Sequence, residues 1–71
     1  MDVIYEALYI DWRDGESYGF FRELEAAKVE CELHLPKDLR NQEMKWDQAS
    51  EYVWVLRMGS IRFNVVARQV K

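Results

Sequence analysis

Hydrophobic and polar residues alternate with the two-residue period of a β-strand near both ends of the chain, and with a helical period between them. Residues 2–12 carry apolar side chains on both alternating faces, interrupted by Glu6. A strand that is apolar on both faces is typical of a central strand or of one covered on both sides. An Asp-Gly pair at residues 13–16 predicts a tight turn, and residues 17–21 predict a short return strand.

The middle of the chain predicts one helix over residues 22–35, which Pro36 ends because proline cannot continue a helix. At 100° per residue its apolar side chains fall into two stripes. The predicted core stripe contains Leu24, Ala27, Cys31 and Leu35. A second stripe on the far side contains Ala26, Val29 and Leu33. We expect residues 36–50 or another chain to cover this second stripe, because a helix packed on one sheet face leaves its far side in water.

The C-terminal third predicts further strands. Residues 44–46 are expected to open a short strand, and residues 51–57 and 61–70 form a hairpin around a turn at residues 58–60. Alternation in the last strand places Ile61, Phe63, Val65 and Ala67 inward and Arg62, Asn64, Val66 and Arg68 outward. The sequence therefore predicts one small α+β domain over residues 1–71. It is an antiparallel sheet of four to five strands with one helix packed on one face, in the order β-β-α-(β)-β-β.

Composition and size add two expectations. The chain has 71 residues with 49% hydrophobic and 14% aromatic residues, which is typical of a folded domain and not of a disordered one. A domain this small is only marginally stable alone, and a partner surface would add buried area. We therefore expect a homodimer, with Ala26, Val29 and Leu33 as the self-association site. Without a long apolar run or a signal segment, and with one cysteine, the chain is expected to be cytoplasmic and to avoid membranes.

Charge is distributed unevenly along the chain although the net charge is only −3. Residues 1–35 contain nine acidic and three basic residues, whereas residues 52–71 contain four basic residues and no acid. One interpretation is that the basic strands pair with the acidic part of the same fold. The other is that the C-terminal strands form an anion-binding or partner-docking face. The outward-facing candidates for that face are Arg57, Arg62, Asn64 and Arg68, and Trp46, Tyr52 and Trp54 offer nearby aromatic rings for stacking.

Catalytic chemistry is not expected. Cys31 and His34 lie close together on the predicted helix, but a cysteine on a core stripe is typically a small buried apolar residue. His34 is expected to interact with the last carbonyls of the helix. The chain contains no other histidine or cysteine, and a metal site needs three or four ligands. We expect no catalytic residue, no metal and no cofactor.

The acidic residues have simple interpretations. Asp11, Asp14 and Glu16 are expected to be solvated acids around the first turn. Glu6 is expected to pair with Arg62 or Arg68 across neighbouring strands.

Three functional hypotheses remain at this point. The first is a small non-enzymatic protein-binding module that acts as a regulator or inhibitor through surface contacts and also self-associates. Proteins of this size commonly have such roles, including those encoded by bacterial viruses. The second is a nucleotide- or nucleic-acid-binding protein that uses Arg57, Arg62 and Arg68. The third is an acidic decoy that presents the N-terminal carboxylates to a nucleic-acid-binding enzyme, as in viral counter-defence.

Overall fold

The computed structural model describes residues 2–11 and 15–70. These residues form a five-stranded antiparallel sheet with one main helix packed against it. In chain order the elements are β1 (Asp2–Ile10), β2 (Gly15–Phe21), α1 (Leu24–Leu33), α2 (Lys37–Arg40), β3 (Trp46–Ser50), β4 (Val53–Met58) and β5 (Ile61–Val70). The predicted α+β fold is confirmed. Of the turn predicted at residues 13–16, residues 13 and 14 lie outside the described part and Gly15 already belongs to β2.

The strand order across the sheet is β2-β1-β5-β4-β3. The first strand therefore pairs with β2 on one side and with β5 on the other, and Ala7 lies opposite Gly19 and Val65. The prediction that β1 is an inner strand is confirmed. β2 and β3 form the two edges.

One face of the sheet packs against α1. The buried side chains between this face and the helix form a single core, which contains Ala7, Ala27, Cys31, Leu35, Leu56, Met58, Phe63 and Val65. Side chains of a strand alternate between the two faces, so the intervening residues point to the opposite side. Within residues 2–11 and 15–70, α1 contacts β1, β2 and β5 from the core side, and Val55 is the side chain of the opposite side that is nevertheless buried, at 5% exposed. We call this opposite side the open face; its members include Ile4, Glu6, Leu8, Ile10, Phe20, Val53, Val55, Arg57, Arg62, Asn64, Val66 and Arg68.

The helix is shorter than predicted but presents the predicted core stripe. Ala27 and Cys31 are fully buried, and Leu35 just beyond the helix is 3% exposed. The last turn ends in tight hydrogen bonds, in which the backbone N–H of His34 donates to the Cys31 carbonyl at 3.0 Å. Pro36, which lacks a backbone N–H, then separates α1 from the short α2.

The second apolar stripe of α1 lies on the surface. We call Ala26, Val29 and Leu33 the outer stripe; Val29 is 49% and Leu33 is 60% exposed. The expectation that residues 36–50 cover this stripe is wrong. The apolar side chains of that segment pack against the core beside the helix instead, and they are Leu39, Met44 and Trp46.

Candidate binding surface on the open face

The open face has an apolar centre that spans three neighbouring strands. Leu8 of β1, Val66 of β5 and Val53 of β4 are each half-buried, although no element of the described chain lies over them. Phe20 of the edge strand β2 extends this area and is 56% exposed. A run of apolar side chains across a sheet that has no covering layer is typical of a surface that another molecule contacts.

All four polar residues singled out from the sequence lie on the open face. Arg57 of β4 and Arg62 of β5 are directly opposite each other in the register. Like charges placed directly opposite on a sheet are destabilising. Within residues 2–11 and 15–70 neither arginine forms an ion pair with a carboxylate. The nearest polar contact of this pair is a 3.4 Å hydrogen bond from Arg62 Nε to Asn64 Oδ1.

Arg68 is in a different situation, because it has a carboxylate partner. Its Nε donates to Glu6 Oε1 at 2.8 Å, and Glu6 also accepts a hydrogen bond from the Ser17 hydroxyl at 2.7 Å. The Glu6 side chain is only 12% exposed. This pair links β1, β2 and β5 in the middle of the open face. Of the two partners predicted for Glu6, the structure selects Arg68. Among the described residues, Arg57 and Arg62 are the arginines of this face that have no carboxylate partner.

Of the three aromatic residues expected beside the arginines, the two tryptophans are not on the open face, and Tyr52 lies in the turn before β4 and is 52% exposed. Trp54 packs edge-to-face on Tyr5 at a ring distance of 5.9 Å. Trp46 lies opposite Leu56 on the helix side, and its indole N–H donates to Glu32 Oε2 at 2.8 Å. The prediction that these tryptophans accompany the arginines is wrong. Trp54 is three residues from Arg57 in the same strand and therefore lies on the opposite face, and Trp46 is paired with Leu56, which faces the core. Phe20 is the aromatic side chain that sequence reasoning missed on this face.

The outer stripe of α1 lies on the other side of the molecule, among acidic residues. At 100° per residue, Glu25 and Glu32 flank it on one side and Glu23 and Glu30 on the other. Glu25 lies 3.6 Å from the Lys28 ammonium and its side chain is 80% exposed. Glu30 contacts His34 Nε2 at 3.0 Å. This surface is therefore apolar in the middle and negative at its borders.

The predicted cysteine and histidine are engaged in the fold. Cys31 is fully buried, and burial raises the pKa of its thiol to about 12. The His34 ring stacks on Tyr18 with centroids 3.7 Å apart and planes 3° apart. Burial raises the pKa of Tyr18, and the Glu16 carboxylate adds to that shift. Of the other turn acids, Asp11 is exposed and Asp14 lies outside the described residues.

Two shallow depressions on the described surface, of about 350 and 310 Å³, contain neither Cys31 nor His34. The larger is lined by Asp2, Val3, Ile4, Arg22 and Val70, and the smaller by Tyr52, Ala67 and Gln69. No group of three metal-ligating side chains occurs within residues 2–11 and 15–70. Neither helix of this described part has the length and hydrophobicity to cross a membrane. Comparison of the chain with protein-family models, curated proteins and solved structures finds no match.

Proposed function

We propose that this chain is a small non-catalytic protein-binding module that regulates or inhibits a partner through the open face of its sheet. The observation that carries the proposal is the combination on one face of a half-buried apolar centre with Arg57 and Arg62, which form no ion pair with the carboxylates of the described residues. An apolar centre bordered by charged groups is the composition of many protein interfaces. Arginine is enriched among the residues that dominate binding energy in such interfaces.

The state of Cys31 and His34 favours contact over catalysis. A cysteine reacts as a thiolate, whereas burial keeps the Cys31 thiol protonated at neutral pH. The His34 ring has one face on Tyr18 and its Nε2 on Glu30. Neither group is positioned to take a proton from a substrate bound on the open face, since both lie on the helix side of the sheet.

Binding of a nucleotide or nucleic acid is the second candidate, and the adjacent cations Arg57 and Arg62 favour it. Two features make it the weaker one. Base stacking uses aromatic side chains, but Trp46 and Trp54 face the core. The exposed Phe20 of the open face lies on β2, and β1 separates that strand from β5 and Arg62. Arg68 is neutralised by Glu6, and the whole chain carries a net charge of −3, which repels a phosphate backbone.

Salt dependence separates the two candidates. The unmodified chain and the Arg57→Gln/Arg62→Gln variant are each immobilised. Proteins from the source cells and a single-stranded oligonucleotide are then passed over both, and the amount retained is measured at several salt concentrations. We expect retained protein to be lost in the double variant and to depend weakly on salt, because apolar contact contributes much of the affinity. The second candidate would be supported by an oligonucleotide that binds the unmodified chain and not the variant. The logarithm of its binding constant should then fall with the logarithm of the salt concentration at a slope of about −1.4, as two neutralised phosphates would give.

A further inference from the structure

We infer that the open face of one copy binds the outer stripe of α1 on a second copy, so that the chain associates with itself head to tail. This inference rests on the proposed function, because it names a second copy of the chain as a protein partner of the open face. The two surfaces lie on opposite sides of each molecule. Each copy therefore has one surface of each kind, the open face and the outer stripe, and can contact two other copies.

The layered architecture is the first argument. A sheet that is apolar on both faces is stable when helices cover both of them. In this chain α1 covers one face, and the other face carries Leu8, Val53 and Val66 without a covering element among the described residues. The outer stripe is an apolar helix surface with no sheet beneath it. Docking one on the other completes a helix–sheet–helix sandwich and removes both exposed apolar surfaces from water.

Charge complementarity is the second argument. Arg57 and Arg62, which have no carboxylate partner within residues 2–11 and 15–70, would meet the carboxylates that border the outer stripe, among them Glu25, whose side chain is 80% exposed. Guanidinium groups bind carboxylates through paired hydrogen bonds. Pairing of two outer stripes would instead oppose two sets of glutamates. Pairing of two open faces would leave the outer stripe of every copy exposed. The head-to-tail contact satisfies both surfaces at once.

Size is consistent with a weak, concentration-dependent contact. A ten-residue helix is about 15 Å long and about 10 Å wide with its side chains. The sheet accommodates it, since the molecule measures 39 × 25 × 20 Å along its principal axes. So short a helix buries less than the roughly 1,600 Å² of a standard interface. We therefore expect association at high micromolar concentration, and species larger than a dimer, because a head-to-tail contact leaves a free surface at each end.

Complementation between two interface variants tests the inference. The helix variant is Val29→Glu/Leu33→Glu, at two exposed positions, and the face variant is Arg57→Glu/Arg62→Glu. Each variant alone loses one of the two surfaces and is expected to be monomeric by sedimentation velocity. Mixed in equal amounts, they retain one intact surface of each kind. We expect the mixture to form a 1:1 dimer of twice 8.6 kDa and nothing larger.

Matched controls account for charge and folding. Lys37→Glu/Arg40→Glu on α2 makes the same charge change as the face variant at exposed positions that belong to neither surface, and it should associate like the unmodified chain. Circular dichroism establishes that each variant is folded. If the face variant does not fold, Arg57→Gln/Arg62→Gln replaces it. We expect this variant to associate at least several-fold more weakly than the unmodified chain.

Four outcomes would overturn the inference. The first is an unmodified chain that is monomeric at all concentrations, and the second is a mixture of the two variants that stays monomeric. The third is a helix variant that loses association while the face variant keeps it, and the fourth is a face variant that loses association while the helix variant keeps it. A monomeric chain that still captures a different protein through Arg57 and Arg62 would leave the proposed function standing. Association restored in the mixture without any captured protein would support self-association while removing the regulatory role.

Discussion

At the scale of single residues, Cys31 is an internal reporter of unfolding. Burial raises the pKa of its thiol from 9.0 to about 12, so the neutral thiol is the form that the folded chain accommodates. We expect native Cys31 to react with a thiol reagent such as Ellman's reagent at pH 8 only as fast as the chain opens. In denaturant the same thiol should react at the rate of a free cysteine. Rapid reaction of the folded protein would contradict the burial of this side chain.

The same shift has a consequence for stability against pH. The thiol holds its proton more tightly in the folded chain than in the unfolded chain. This difference stabilises the fold below pH 9, and the stabilisation is lost as the pH rises from 9 to 12. In this range the free energy of unfolding should fall by up to about 1.4 kcal/mol per pH unit from Cys31. Cys31→Ala is the control, because its stability lacks this contribution. Equal slopes for both chains in urea titrations at pH 9 to 11 would rule the effect out.

Gly19 is the residue that sets the register of the β2 edge. Its φ is +115°, which residues other than glycine rarely adopt. It lies beside a β-bulge in β2, where Ala7 pairs with Gly19 and the next residue, Leu8, pairs with Ser17. The extra residue lets Tyr18 face His34 while Phe20 reaches the open face. We expect Gly19→Ala to destabilise the fold by about 1–3 kcal/mol, measured by urea unfolding. Gly15→Ala is the control, since a Cβ there meets only an ordinary 3.6 Å contact and should change stability little.

At the scale of elements, the two stripes of α1 should differ sharply in their contribution to stability. Leu35 continues the core stripe and is 3% exposed, whereas Leu33 of the outer stripe is 60% exposed. Leu35→Ala should cost about 2–5 kcal/mol because it leaves a cavity in the core. Leu33→Ala should stay within about 0.5 kcal/mol at low protein concentration. Equal losses in denaturant unfolding would mean that the outer stripe is also covered within one chain.

Much of each element was predictable because it depends on local patterning. The period of β5 identified its buried residues, among them Phe63 and Val65, and the helical period identified Ala27 and Cys31. What depends on contacts between distant segments was not predictable. The sequence left open which arginine pairs with Glu6, because that choice requires the register of β1 on β5. Trp54 was offered as a stacking neighbour of the arginines, although it lies three residues from Arg57 in the same strand, so that alternation places the two on opposite faces.

At the scale of the whole molecule, the chain exposes more surface than its mass predicts. Its accessible surface is 5220 Å², against about 4,700 Å² for a compact monomer of this mass. The flat shape with one uncovered sheet face accounts for the excess. Among the described residues, the open face and the outer stripe contain the exposed apolar side chains Phe20, Val29 and Leu33. A contact that covers both would bring the exposed area per chain closer to that of a compact domain.

Thermal stability should therefore increase with protein concentration. A partner that binds only the folded chain stabilises it by RT ln(1 + [L]/Kd), which is about 1.4 kcal/mol at ten times Kd. For a domain of this size that corresponds to a Tm rise of roughly 5–10 °C, measured by calorimetry between low micromolar and millimolar concentration. Added salt should reduce the rise because it screens Arg57 and Arg62 from the partner's glutamates. The helix variant Val29→Glu/Leu33→Glu should show a constant Tm over the same range. A Tm that is also constant for the unmodified chain would mean that the open face stays free of a second copy.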